Sequence, residues 1–318
     1  MAGPIPVIVN ARAGNGSTPG WIDGLQERFA AAGLQVQVHL MQHGSDIAPT
    51  VAAALRQGAA LVVAGGGDGT VSAVAAGLVG TGVALGVLPM GTLNHFAKDL
   101  GLPLEREQAI AVIAAGRHVD VDVGEVNGRI FINNSSLGIY PDIVRDREQR
   151  QRRLGHGKWR ALLEASITAA RRYPVLDVHV EVEGQTLLRR TPFVFIGNNE
   201  YTMEGFEIGA RAALDRGRLS LYLSHRMGRF GLLHLAFMAL CRRLDQARDF
   251  DMLTARVFVV KTHHRRLRVA TDGEVTKMAM PLEFRVVEGR LMLLKPSAQP
   301  ESATDASARA ASAQGRCM

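Results

Sequence analysis

The chain has 318 residues, 47% of them hydrophobic and 21% charged. That balance excludes a disordered or fibrous polymer and can bury a proper core, and the length favours two domains. The formal net charge of +7 favours anionic partners, while two cysteines, Cys241 and Cys317, fit neither a disulfide framework nor a metal site and imply a reducing, cytoplasmic setting.

The start, MAGPIPVIVN, has no basic leader and runs directly into a short buried strand. TPGWIDGLQERFAAAG follows, with Thr18 as N-cap, Pro19 at the first helical position, and Trp21, Leu25 and Phe29 recurring every four residues along one apolar face. LQVQVHL alternates as a strand, Asp46 is placed to cap a helix ending at Arg56, and AALVVAG is a further buried strand. A glycine-rich turn, a small-residue helix and the strand VALGVLP complete a βαβαβ rhythm. That rhythm predicts a parallel, doubly wound sheet with ligands at the carboxyl ends of its strands.

From about Asp120 the period becomes two. HVDVDVGEVNGRIFINN carries the Asn127-Gly128 hairpin signal, and strands are expected at 174–183, 186–196, 218–223, 255–261, 267–271 and 282–294. These read as a β-sandwich domain. No stretch reaches the roughly 20 apolar residues of a membrane span; GLLHLAFMALC, at 231–241, is about half that and holds His234. Residues 297–318 are of low complexity and read as a disordered tail. The domain division expected is 1–122, 123–296 and 297–318.

Three polar turns should meet at one edge of the parallel sheet. The first is VNARAGNG, with Asn10. The second is GGGDGT, with Gly66, Gly67, Asp68, Gly69 and Thr70. The third is PMGTLN, with Gly91, Thr92 and Asn94. Glycines at a strand-to-helix turn can take positive φ, gather N–H groups into an anion nest and admit phosphate to bare backbone. Asp68 beside such an anion suggests a bridging Mg²⁺. On its own, the glycine turn reads equally well as a tight turn with Asp68 capping the helix.

GGDGT, PMGTLNHFA, NARAGNG and a late DGE (Asp272, Gly273, Glu274) together resemble the diacylglycerol kinase catalytic family, in order, over residues 4–296. The resemblance implies an α/β fold: an N-terminal Rossmann-like nucleotide-binding domain and a C-terminal β-sandwich for the lipid. It implies an ATP- and Mg²⁺-dependent kinase of diacylglycerol or a related lipid, serving phospholipid metabolism. Asn10, Gly66, Gly67, Asp68, Gly69, Thr70, Gly91, Thr92 and Asn94 would hold the nucleotide. Asp68 would organise metal and phosphates, with Asp215 of the Asp215-Arg216-Gly217 segment as a second metal contact. Glu274 would be the general base. The chain departs from the family pattern at Ser72-Ala73, His95 and Arg216. GGDGT alone is shared with NAD kinases, so a small-molecule kinase and a catalytically impaired nucleotide- or membrane-binding protein are the alternatives.

Residues 145–172 hold nine Lys or Arg and three acidic residues, with Trp159 among them. They suit transient, peripheral attraction to an anionic membrane rather than to nucleic acid. An exposed strand edge in the second domain offers pairing with another copy as a homodimer.

Overall fold

The computed structural model describes residues 3–11, 23–138, 175–204, 207–211, 213–224 and 250–296. Thr18, Pro19 and Trp21, the basic segment 145–172, the apolar stretch 231–241 and the tail 297–318 lie outside the described residues.

The N-terminal half is a parallel sheet between helices. Its strands are β1 (Ile5–Asn10), β2 (Val36–Met41), β3 (Leu61–Gly66) and β4 (Ala84–Pro89), in spatial order β2-β1-β3-β4. All their pairings are parallel. β3 and β4 are short apolar runs because helices cover both faces of the sheet. On one side α1 (Leu25–Ala31) packs Leu25 and Phe29 with Ile110 and Ile113 of α5 (Arg106–Ala115). On the other, Val51 of α2 (Ile47–Arg56) meets Val74 and Leu78 of α3 (Asp68–Leu78). The short α4 (His95–Asp99) follows β4. Asp46 occupies the N-cap position of α2, but its backbone is already helical and its side chain makes no capping bond.

β5 (Arg117–Val126) and β6 (Arg129–Phe131) form the expected hairpin, with Asn127 and Gly128 at φ 46° and 84°. β7 (Asn134–Gly138), β8 (Leu176–Val182), β9 (Gln185–Thr191), β10 (Phe193–Asn198), β11 (Tyr201–Glu204), β12 (Glu207–Arg211) and β13 (Leu219–Ser224) follow. Then come β14 (Phe250–Ala255), β15 (Val257–Thr262), β16 (Arg266–Thr271), β17 (Glu274–Ala279) and β18 (Leu282–Lys295). The single strand expected over 186–196 is two, β9 and β10, because Pro192 falls between them and cannot donate to a ladder.

One six-stranded sheet runs β14-β13-β10-β7-β16-β17. Its inner face, including Leu137, Val194, Ile196 and Val269, packs on Val178, Val180, Phe258 and Phe284 of β8, β15 and β18, which makes the sandwich core. The 14-residue β18 then leaves the sandwich. It pairs antiparallel with β5 and β15 and, at Leu293, parallel with Leu85 of β4. The parallel and antiparallel halves therefore share one mixed ten-stranded sheet. No helix among the described residues is long and apolar enough to cross a membrane.

Candidate functional site

Asn10, Gly66 and Pro89 end their strands on the same edge of the parallel sheet, as register requires. The chain turns there into α3 and α4. None of Gly66, Gly67, Gly69 and Gly91 has positive φ, which corrects the expectation of a left-handed nest. Close packing is the physical reason for the glycines. A Cβ on Gly66 would sit 2.5 Å from the Thr70 hydroxyl oxygen, and one on Gly91 would sit 2.5 Å from Gly67 Cα. The two loops touch backbone to backbone. Gly69 alone of these meets nothing within 4 Å.

What the turn presents is the first turn of α3. Among the described residues, the Asp68 and Gly69 amides donate to no protein acceptor, as expected of the orphan donors at a helix start. They lie at the positive end of the helix dipole. Thr70 is buried, and its hydroxyl accepts a hydrogen bond from Asn10 Nδ2 at 3.3 Å. Asn94 has φ 50° and closes its own turn: Nδ2 donates to the Gly91 carbonyl and Oδ1 accepts the Gly91 amide, both at 2.9 Å. Its amide group shapes the loop, while the neighbouring Thr92 is exposed.

Asp68 joins the two loops. Its Oδ2 accepts the His95 amide at 3.1 Å and its Oδ1 the Phe96 amide at 3.0 Å. It thereby caps α4, a helix whose own N-cap residue makes no side-chain cap. The bridging role inferred for a cation is already met in part by these amides.

The DGE turn reaches the same place from the other end of the chain. Asp272 and Gly273, at φ 48° and 87°, form a two-residue hairpin turn between β16 and β17. The Asp272 carboxylate points back into the protein and accepts four hydrogen bonds. The Ser72 hydroxyl and the Ile132 amide donate to Oδ2 at 2.5 and 2.8 Å, and the Asn133 and Asn134 amides donate to Oδ1 at 2.9 and 3.0 Å. Burial pushes this carboxyl above its ordinary range, and the four donors pull it back. Ser72 lies one turn beyond Asp68 on α3, so the turn carrying Glu274 is bonded to the helix that Asp68 opens. Glu274 itself is exposed and pairs through Oε2 with Arg129 Nη2 at 2.5 Å.

Beside this lies a buried polar centre that sequence reasoning missed. The Arg211 side chain is fully buried and Asp99, at the end of α4, nearly so. Arg211 Nε donates to Asp99 Oδ2 at 2.7 Å, Nη1 to the Ile132 and Asn198 carbonyls, and Nη2 to Asn133 Oδ1 at 2.7 Å. Its guanidinium lies 5.1 Å from the Tyr201 ring and 5.9 Å from that of Phe96. Burial pushes the Tyr201 phenol up, and it donates to the Asn133 carbonyl at 3.0 Å. The signal available in the sequence was Asp99 itself: an acid in the last turn of a helix opposes the dipole and calls for a cation.

Asp215 lies elsewhere, exposed in a cleft of about 340 Å³ with Asp122, Arg216, Arg218, Arg256 and Glu288. Asp68 is not part of that lining. Asp122 spends both carboxylate oxygens on the amides of Gly217 and Gly289, and Arg256 pairs with Glu288. Among the described residues, no three His, Cys, Asp or Glu side chains cluster to hold a metal.

Two domain families divide this architecture. Residues 4–126 match the diacylglycerol kinase catalytic domain, and residues 143–295 the YegS C-terminal NAD kinase beta sandwich-like domain. The chain thus joins a diacylglycerol kinase catalytic domain to a YegS-type C-terminal domain, the two matches together spanning most of its length. It is 26% identical over 284 residues to a diacylglycerol kinase of Bacillus subtilis, covering 88% of this chain and 92% of that one. It is 31% identical over 201 residues to a "Probable lipid kinase YegS-like" of Cronobacter sakazakii, covering 59% of this chain and 64% of the relative. Identity is 42% to a Pseudomonas aeruginosa protein of the same description, over 109 residues that cover 34% of this chain and 36% of the relative. The crystal structure of a diacylglycerol kinase from Bacillus anthracis superposes with a TM-score of 0.68 at 20% identity, covering 93% of this chain and 97% of that chain, and shares the fold.

Proposed function

We propose that the protein transfers the γ-phosphate of ATP to a hydroxyl of a lipid, diacylglycerol or a related molecule. The observation that carries this reading is the Ser72–Asp272 hydrogen bond. It joins the phosphate-side helix to the turn bearing Glu274, and phosphoryl transfer depends above all on positioning its partners.

In this reading the amides of Asp68 and Gly69, which meet no acceptor among the described residues, hold phosphate oxygens at the start of α3. The bare Gly69 leaves room for their approach, and the exposed Thr92 hydroxyl offers a further donor. Asn10, through Thr70, and Asn94, through Gly91, keep the loops in shape. Glu274 accepts the proton of the lipid hydroxyl, a task for which an acceptor-only carboxylate is suited, and Arg129 holds it in place. Mg²⁺ brought with ATP would supply neutralisation of the phosphate charge. Asp68 can face such an ion with the lone pairs its two amide donors leave. At Asp215 the residues present do not fit Mg²⁺, since three guanidinium groups line the cleft and Asp122 is already committed to backbone. Peripheral attraction of residues 145–172 to an anionic membrane, and pairing of copies at a strand edge, belong to the same reading.

The test is incubation of the full chain with labelled ATP, Mg²⁺ and a total lipid extract, with NAD as a parallel acceptor. A chloroform-soluble phosphorylated product is expected. A water-soluble product alone, or no transfer, overturns the reading. Glu274→Gln should keep ATP binding and abolish transfer; unchanged turnover removes Glu274 from its role.

A further inference from the structure

The buried Arg211 belongs to a closed circuit of hydrogen bonds that runs through both candidate loops. Asp68 accepts the amides of His95 and Phe96 at the start of α4. Asp99, at the end of α4, accepts both the Arg211 amide at 3.2 Å and Nε at 2.7 Å. Arg211 Nη2 grips Asn133 Oδ1, and the Asn133 amide donates to Asp272. Asp272 accepts the Ser72 hydroxyl on α3, the helix that begins at Asp68.

We propose that Arg211 is a positioning residue for the transfer: it sets the Asp68 loop through Asp99 and α4, and the Glu274 turn through Asn133. Arginine suits the task because its planar fork reaches three directions at once, toward a carboxylate, two carbonyls and a side-chain amide. A lysine keeps the charge but can occupy only part of that fork. Each donor atom of the guanidinium is engaged, and both members of the ion pair are out of water, so the geometry is fixed rather than sampled. The catalytic part of this inference rests on the lipid-kinase reading; the mechanical part does not.

The experiment uses the full chain with Arg211→Lys and, as the near-isosteric partner change, Asp99→Asn. Two measurements are made on each: steady-state transfer, and amide hydrogen exchange at His95 and Phe96 and at Ile132, Asn133 and Asn134. Arg211→Lys should lower kcat by about tenfold to 10²-fold, a larger change than any rise in KM for ATP. It should also speed exchange in both amide groups together, with the β1 and β3 amides unchanged. An arginine that only stabilises the fold would lower the unfolding midpoint and leave kcat per folded molecule as it was; that result overturns the proposal. So does faster exchange confined to residues next to position 211. If Arg211→Lys does not fold, Asp99→Asn is read by the same two criteria. A wild-type chain that transfers no phosphate refutes the kinase reading and the catalytic claim with it, whereas exchange still decides whether the two loops move as one.

Discussion

The Ser72 hydroxyl donates to the Asp272 carboxylate at 2.5 Å, joining residues 200 positions apart in the chain. This bond stabilises the charged form of a carboxyl whose burial pushes it above the ordinary 3.8. The folded protein therefore keeps the Asp272 proton at pH values where the unfolded chain has released it. Stability from this group is full below the unfolded value and is lost as pH rises through the raised folded one. Ser72→Ala removes a donor to the charged form and raises the folded value further. It should cost about 1.5–3 kcal/mol near neutral pH and clearly less near pH 4, read by urea unfolding at both. An equal cost at the two pH values would mean that the hydroxyl does not act on the charge.

Much of the fold is written locally and was legible from the sequence. Short apolar runs gave β1, β3 and β4, the Leu25 and Phe29 spacing gave the buried face of α1, and Asn127-Gly128 gave its hairpin. What was missed depends on distant partners. β17 reads as a polar segment because only one face of this edge strand is covered. The union of both halves through Leu293 and Leu85 leaves no local trace, since any buried apolar strand could have taken that place. The site divides in the same way. Its glycine and DGE motifs were visible, but the circuit of Ser72, Asp99, Asn133 and Arg211 was not. Each of these is an ordinary polar residue until the fold supplies its partner.

The glycine loops separate packing from ligand approach. Gly91→Ala places a methyl against Gly67 backbone and the Asn94 side chain, 2.5 and 2.8 Å away, so both loops must shift. It should cost about 1–3 kcal/mol and weaken ATP binding as a consequence. Gly69→Ala meets nothing within 4 Å, needs no left-handed backbone and lies inside α3, so stability should hold or rise by roughly 0.5–1 kcal/mol. Its ATP affinity should nevertheless fall, because the methyl stands where phosphate would meet the first turn. Calorimetric titration of both variants with ATP checks this. A Gly69→Ala chain that binds ATP like the wild type would place the phosphates elsewhere.

Arg129 and Glu274 make the complementary case, a pair with little to give the fold. Their side chains are 35% and 63% exposed, and ion pairs so placed contribute about 0–1 kcal/mol. Arg129→Ala should therefore leave the unfolding free energy within about 1 kcal/mol of the wild type. The carboxylate would lose the contact that holds one of its oxygens, while the amides of α3 and the loop at Gly91 stay as they are. Turnover should then drop with KM for ATP unchanged, and salt should mimic part of the loss in the wild type by screening the pair. Steady-state kinetics at low and high ionic strength measures both effects. Should KM for ATP rise while kcat holds, Arg129 would be serving the nucleotide instead of Glu274, and the general-base assignment would lose its positional support.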